Sequence, residues 1–208
     1  MVDVNLTEEE QVEALKKWWK ENGKSVVAGI VMGLGGVFGW QYWTQHQREV
    51  AEQASLQFER LSESVVSGSE SAEVQAKALM SGYKGSAYAV FAALELAKVK
   101  FQQGDMDGAK SQLQWVLSNA DDPSLKQIAR LRLGRLLLDQ GSVDEAASLI
   151  AQAPDDNFKG DIAELKGDIA LKKGDRVAAR QAYGEALEYK VSNSALVQMK
   201  FDDLAAAE

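Results

Sequence analysis

Twenty-three consecutive residues, Ser25 to Gln47, contain no Asp, Glu, Lys or Arg. The apolar part, Ser25 to Trp43, is 19 residues long. As a helix rising about 1.5 Å per residue it measures roughly 28 Å, close to the hydrocarbon thickness of a bilayer. No other stretch of the chain is apolar enough to do this. A chain with one such run and a long polar remainder reads as a single-pass membrane protein, with residues 25–47 as its transmembrane helix.

The flanks set the expected orientation. Lys16, Lys17, Lys20 and Lys24 precede the run, whereas only Arg48 and Arg60 follow it closely. Topology follows the Lys/Arg count, to which acids contribute little. Residues 1–24 are therefore expected in the cytoplasm and residues 48–208 on the far side. Trp18 and Trp19 before the run, and Trp40, Tyr42 and Trp43 after it, suit the two headgroup zones. A cleaved signal peptide is disfavoured: its charged region is long and acidic, its apolar run exceeds the usual length, and bulky residues follow it. The Lys and Trp residues ahead of the run are expected along the anionic inner leaflet. Gly29/Gly33 and Gly35/Gly39 form two pairs spaced by four, which lets another membrane helix approach. A second copy of the chain (a homodimer) and a different membrane partner fit that spacing equally.

The remainder is acidic and helix-prone. Residues 25–208 carry six more acids than bases, and the chain has no Cys and only two Pro. Absence of Cys removes disulfides and thiolate metal sites. An acidic domain without a basic stripe is a poor nucleic-acid binder. His46 is the single histidine, so no Ser-His-Asp triad or multi-histidine metal site can be built. The run Gly33-Leu-Gly-Gly-Val-Phe-Gly39 lies in the apolar segment, lacks a Lys-Ser/Thr ending, and does not read as a phosphate loop. Asp121-Asp122 and Asp155-Asp156 flank prolines at inter-helix positions, where Asp serves as cap or turn former. No catalytic residue, cofactor or metal is expected, and the chain reads as a non-enzyme.

An internal repeat organises the C-terminal part. Gly104, Gly141 and Gly174 are 37 and 33 residues apart. Small residues recur seven positions before them (Ala97, Gly134, Gly167) and five after (Ala109, Ala146, Ala179). Larger apolar residues recur three before (Phe101, Leu138, Leu171) and nine after (Leu113, Ile150, Tyr183). This is the pattern of tetratricopeptide-type helix–turn–helix repeats, whose hairpins stack because one alone cannot bury its apolar face. The usual aromatic three residues after the first small position is replaced by Lys100, Leu137 and Ala170. The expected fold is all-α: the transmembrane helix, helices over 50–66 and 71–80, a turn over 81–86, then about three repeats from residue 86 forming an α-solenoid.

In such repeats the first helix of each pair lines a concave face. The register places Phe91, Leu94, Lys98 and Phe101 there in the first repeat, Ile128, Leu131, Arg135 and Leu138 in the second, and Asp161, Glu164, Asp168 and Leu171 in the third. That face would grade from apolar and basic to acidic, which suits an extended or helical client. The same leucines also read as core. The terminal helix from Ser194, with Leu196, Val197 and Met199, fits either a cap on its own core or a contact with another subunit.

Several segments resemble one family. Glu10-Gln-Val-Glu-Ala-Leu-Lys-Lys-Trp-Trp-Lys-Glu-Asn-Gly-Lys24, the glycine-rich run ending Gly39-Trp-Gln-Tyr-Trp43, and Gln198-Met-Lys-Phe-Asp-Asp-Leu204 are similar to the ancillary SecYEG translocon subunit family of Gram-negative bacteria. Leu94-Glu-Leu-Ala97 and Gly174-Asp-Arg-Val-Ala-Ala-Arg180 resemble its repeats. The resemblance implies an inner-membrane protein with a periplasmic tetratricopeptide-like domain. It implies association with the SecYEG translocon and with a membrane-anchored periplasmic chaperone of the prolyl-isomerase class, and hand-off of exported client proteins. A scaffold for cell-envelope or division complexes, without an export role, is the other reading the architecture admits.

Overall fold

The structure is a computed structural model and describes residues 8–154 and 157–205. Asp155 and Asp156, read above as turn formers, lie outside the described residues. Two compact units divide at 52/53. The described residues contain nine helices and no strand.

Helix α1, Glu8–Val66, opens with three acids in its first turn, which suit the positive end of the helix dipole. In the first unit the apolar run is uncovered: Ile30, Val31, Met32, Leu34, Val37 and Phe38 are each more than half exposed. A soluble core helix of this hydropathy would be buried, whereas only 6 % of the apolar window is. By length and composition α1 can cross a membrane. No break separates the apolar run from residues 50–66, so the two helices expected there are one element.

The second unit, 53–208, is a stack of hairpins. The end of α1 packs with α2 (Ser71–Gly82) and α3 (Ala87–Gln102) around Leu61, Ala76, Leu79, Ala92 and Leu96. Helix α2 runs two residues past the expected Met80, and the chain turns at Gly85, φ +90°. Then come α3 with α4 (Met106–Asn119), α5 (Pro123–Asp139) with α6 (Val143–Ala151), and α7 (Lys159–Lys172) with α8 (Arg176–Glu188). Helix α9 (Ser194–Ala205) closes the stack.

The three hairpin turns are the same object. Gly104, Gly141 and Gly174 have φ of +80°, +78° and +82°, the left-handed region where a Cβ is disfavoured. Each glycine N–H donates to the carbonyl three residues back, on Phe101, Leu138 and Leu171. The next residue donates to the carbonyl five back: Asp105 to Lys100, Ser142 to Leu137, Asp175 to Ala170. This paired closure is the Schellman ending of a helix. Asp105 and Asp175 then cap the following helix, accepting from the N–H of Gly108 and Ala178. Asp122 caps α5 the same way, accepting from Ser124 and Leu125 ahead of Pro123 at the first turn.

Lys100, which replaces an expected aromatic, has an electrostatic use. Its Nζ lies 2.7 Å from Glu73 of α2 and 3.2 Å from the Asp105 cap, while Lys77 also reaches Glu73 at 2.7 Å. The hydrogen bonds from Lys100 and then Lys77 lower the Glu73 carboxyl from its ordinary 4.5 to about 2. A folded-state value below the unfolded one adds stability above pH 4.5, and that stability is lost as pH falls toward 2. Because the pair is partly exposed, the effect is modest. Glu73→Gln is expected to flatten the acid limb of stability between these pH values, checked by urea titrations of the full chain in detergent. An unchanged acid limb would disprove the assignment.

Candidate functional site

Two adjoining cavities open along the first helices of the hairpins. The first, of about 340 Å³, lies between α3, α4 and α5; Leu94, Ala97, Lys98 and Phe101 face Leu113, Arg132, Arg135, Leu136 and Asp139 across it. The second, of about 430 Å³, lies between α5, α7 and the approach to α9; it is lined by Ile128, Leu131, Phe158, Asp161, Glu164, Ser192, Asn193 and Leu196. Arg132 and Arg135 line both. Volumes of a few hundred Å³ with apolar floors and a few polar groups are ligand-sized.

The sequence-derived residues distribute as follows. Leu94, Lys98, Phe101 and Arg135 come together in the first cavity, and Ile128, Leu131, Arg135, Asp161 and Glu164 in the second. Leu94 and Leu131 are also core, 7 % and 4 % exposed, so each forms a cavity floor and part of the packed interior. Leu138 is buried, whereas Leu171 is not: 41 % of it is exposed. Phe91 lines neither cavity; it packs in an aromatic cluster with Phe58 and Tyr88, ring centroids 5.8 and 6.2 Å away. Asp168 lines neither cavity either. It accepts from the Tyr183 hydroxyl and from Lys200, each at 2.7 Å. In the first unit, nothing lies within 4 Å of where a Cβ on Gly29, Gly33, Gly35 or Gly39 would sit.

Arg132 and the residues at and just before the start of α9 did not follow from the repeat register. Arg132 is one turn from Arg135 on α5, so helical spacing alone would have placed it on the same face. Ser192, Asn193 and Leu196 come from outside the repeats, and no periodicity links them to the cavity. Within α9, Val197 and Leu204 are buried against α8, while Leu196 and Met199 remain 42 % and 64 % exposed.

Glu164 organises the second cavity. It is only 5 % exposed; Arg135 Nη2 lies 3.2 Å from one carboxylate oxygen and Lys200 Nζ 3.0 Å from the other. Lys200 also bonds Asp168, tying α9 to α7. Burial disfavours the Lys200 ammonium, but the Asp168 and Glu164 carboxylates outweigh it and raise its pKa. Burial, then the bond to Asp168, pushes the Tyr183 phenol up, so it donates at any working pH. Among the described residues no group of three or more His, Cys, Asp or Glu is placed to hold a metal ion.

Stacked hairpins with small residues at their close approaches, following an exposed apolar helix in the sequence, define a tetratricopeptide-type helical-repeat protein. A family described as "Tetratricopeptide repeat-like domain" matches residues 16–206. A Haemophilus influenzae protein named "Ancillary SecYEG translocon subunit" is 36 % identical over 182 residues, 88 % of this chain and 89 % of its own length. Proteins of the same name from Escherichia coli K12 and Neisseria gonorrhoeae are 31 % and 28 % identical. They cover 98 % and 96 % of this chain, and 100 % and 98 % of their own lengths. The chain belongs to the ancillary SecYEG translocon subunit family.

Proposed function

We propose that this protein is a non-enzymatic inner-membrane adaptor that sits beside the Sec translocon and binds proteins without transforming them. The observation that carries the reading is end-to-end similarity to relatives named as ancillary SecYEG translocon subunits. Helix α1 anchors it with residues 1–24 in the cytoplasm, in keeping with the lysines ahead of the apolar run. The repeat unit then occupies the periplasm. There its two cavities receive a membrane-anchored chaperone of the prolyl-isomerase class or an exported chain on its way to the chaperones. The span glycines, with nothing within 4 Å of a Cβ position on Gly29, Gly33, Gly35 or Gly39, give a translocon helix room for close approach.

Photocrosslinking in intact cells tests this, with probes at Gly35 in the anchor and Phe101 at the first cavity. Phe101 replaces the obvious Phe91, which is engaged with Phe58 and Tyr88. Adducts to channel subunits from Gly35, and to chaperone or exported chains from Phe101, are expected. Self-adducts alone would overturn the export role and leave a membrane-anchored scaffold.

A further inference from the structure

The first cavity carries positive charge that the fold uses only in part: Lys98 lies 3.8 Å from Glu95 and Arg135 pairs with Glu164. The chain has a net charge of −8, yet the cavity rim holds Lys98, Arg132 and Arg135 against one acid, Asp139. Arg132 and Arg135 lie three residues apart on one face of α5, a spacing at which like charges disfavour a helix. Arg135 is offset by Glu164, which Lys200 fixes in turn. Arg132 is exposed and, among the described residues, makes no ion pair. A guanidinium offers five donors, so Arg135, with 43 % of its side chain exposed, keeps donors free after bonding Glu164. Beside the pair lies an apolar floor of Leu94, Leu136 and the half-exposed ring of Phe101.

These two halves ask for two chemistries at once. Two adjacent guanidiniums match a carboxylate, which can take both. The apolar floor matches a large side chain, and a free inorganic anion would leave it uncovered. We propose that this cavity docks a protein segment in which an Asp or Glu stands beside a Leu, Phe or Met. The carboxylate bridges Arg132 and Arg135, and the apolar side chain rests against Phe101 and Leu94. Because Glu164 already holds Arg135, little side-chain freedom is lost on binding. The inference rests on the reading of the repeats as a partner-binding surface and narrows it to acidic-apolar partners.

The test uses the full chain in nanodiscs of neutral lipid and three fluorescent short peptides. Each carries a central Leu-Phe pair flanked by Glu, by Gln or by Lys; anisotropy reads the binding. The Glu peptide is expected to bind about tenfold tighter than the Gln peptide, the size of one charge-assisted hydrogen bond, and the Lys peptide weakest. Arg132→Glu, at an exposed position, is expected to leave the melting temperature unchanged or slightly raised, since it replaces a like-charge pair with Arg135 by an opposite one, and to abolish the Glu preference. Equal affinities, binding of none, or a Glu preference that survives Arg132→Glu would overturn the proposal. So would Arg132-dependent binding of inorganic phosphate or anionic vesicles in place of the peptides. Phe101 crosslinks separate the two levels: partner adducts that persist in Arg132→Glu retain the partner surface and overturn only its acidic preference. Loss of all Phe101 adducts in the unaltered chain overturns the partner surface itself.

Discussion

Gly167→Ala is expected to destabilise the repeat unit by about 2 kcal/mol, within the range found for overpacked cores. A Cβ there would stand 2.4 Å from Tyr183 Cε1 and 2.5 Å from Cδ1. A flexible surface side chain would yield, but Tyr183 is fully buried, and its hydroxyl donates to Asp168 at 2.7 Å. Moving the ring strains that bond, and leaving a buried polar group unpaired costs about 1–3 kcal/mol. Against this stands the gain of up to about 1 kcal/mol from replacing glycine within a helix. Overpacking and the displaced hydroxyl outweigh propensity. The other repeats supply the control. The equivalent residue in the first is already Ala97, with Leu113 nine positions beyond the turn glycine. In the second, a Cβ on Gly134 would meet Leu165 Cδ2 at 2.8 Å and Ile150 at 3.4 Å, milder contacts with the ends of aliphatic chains. Urea unfolding of the full chain in detergent, followed by helical circular dichroism, should rank Gly167→Ala as costlier than Gly134→Ala. Equal effects would mean that helix propensity and not the ring decides.

That comparison shows what the sequence encodes plainly and what it leaves implicit. The turn glycines are legible because one backbone need recurs at fixed spacing: each must adopt positive φ to close the same two hydrogen bonds. Small residues at 97, 134 and 167 are legible as points of close approach. What each approaches is less so, since Gly167 is small for the sake of Tyr183, 16 residues later. Leu94, Lys98, Phe101, Ile128, Leu131, Arg135, Asp161 and Glu164 line the cavities at positions that register gives, because one face of a helix repeats every three to four residues. Phe91 departs from that reading because the aromatic cluster with Phe58 draws it toward the end of α1, a contact no periodicity encodes. Asp168 departs because Tyr183 and Lys200, from two other helices, converge on it. Leu196 and Asn193 enter the second cavity only through the placement of α9, which is tertiary information.

Lys200→Met is expected to cost about 2–3 kcal/mol and to loosen α9 before the rest of the unit. Removing one member of a buried ion pair costs about 3–5 kcal/mol when the other is left alone, and the surviving Arg135–Glu164 contact reduces that here. Lys200 is the sole described link from α9 to the Glu164 carboxylate, while Val197, Leu204 and the stacking of Phe201 under Arg180 keep the helix docked. The diagnostic is the sign of the coupling. If the cost arises from stranding a buried carboxylate, Glu164→Gln added to Lys200→Met should restore part of the stability, because the neutral amide no longer needs the ammonium. If Lys200 acts only through its aliphatic stem, the second substitution should cost more, since Arg135 then loses its partner too. Hydrogen exchange of α9 amides in the two variants reads this locally, and urea titration reads it globally. Because Glu164 also fixes Arg135 between the two cavities, a double variant that regains stability should still bind acidic peptides more weakly than the unaltered chain. Stability and docking would then come apart at a single carboxylate.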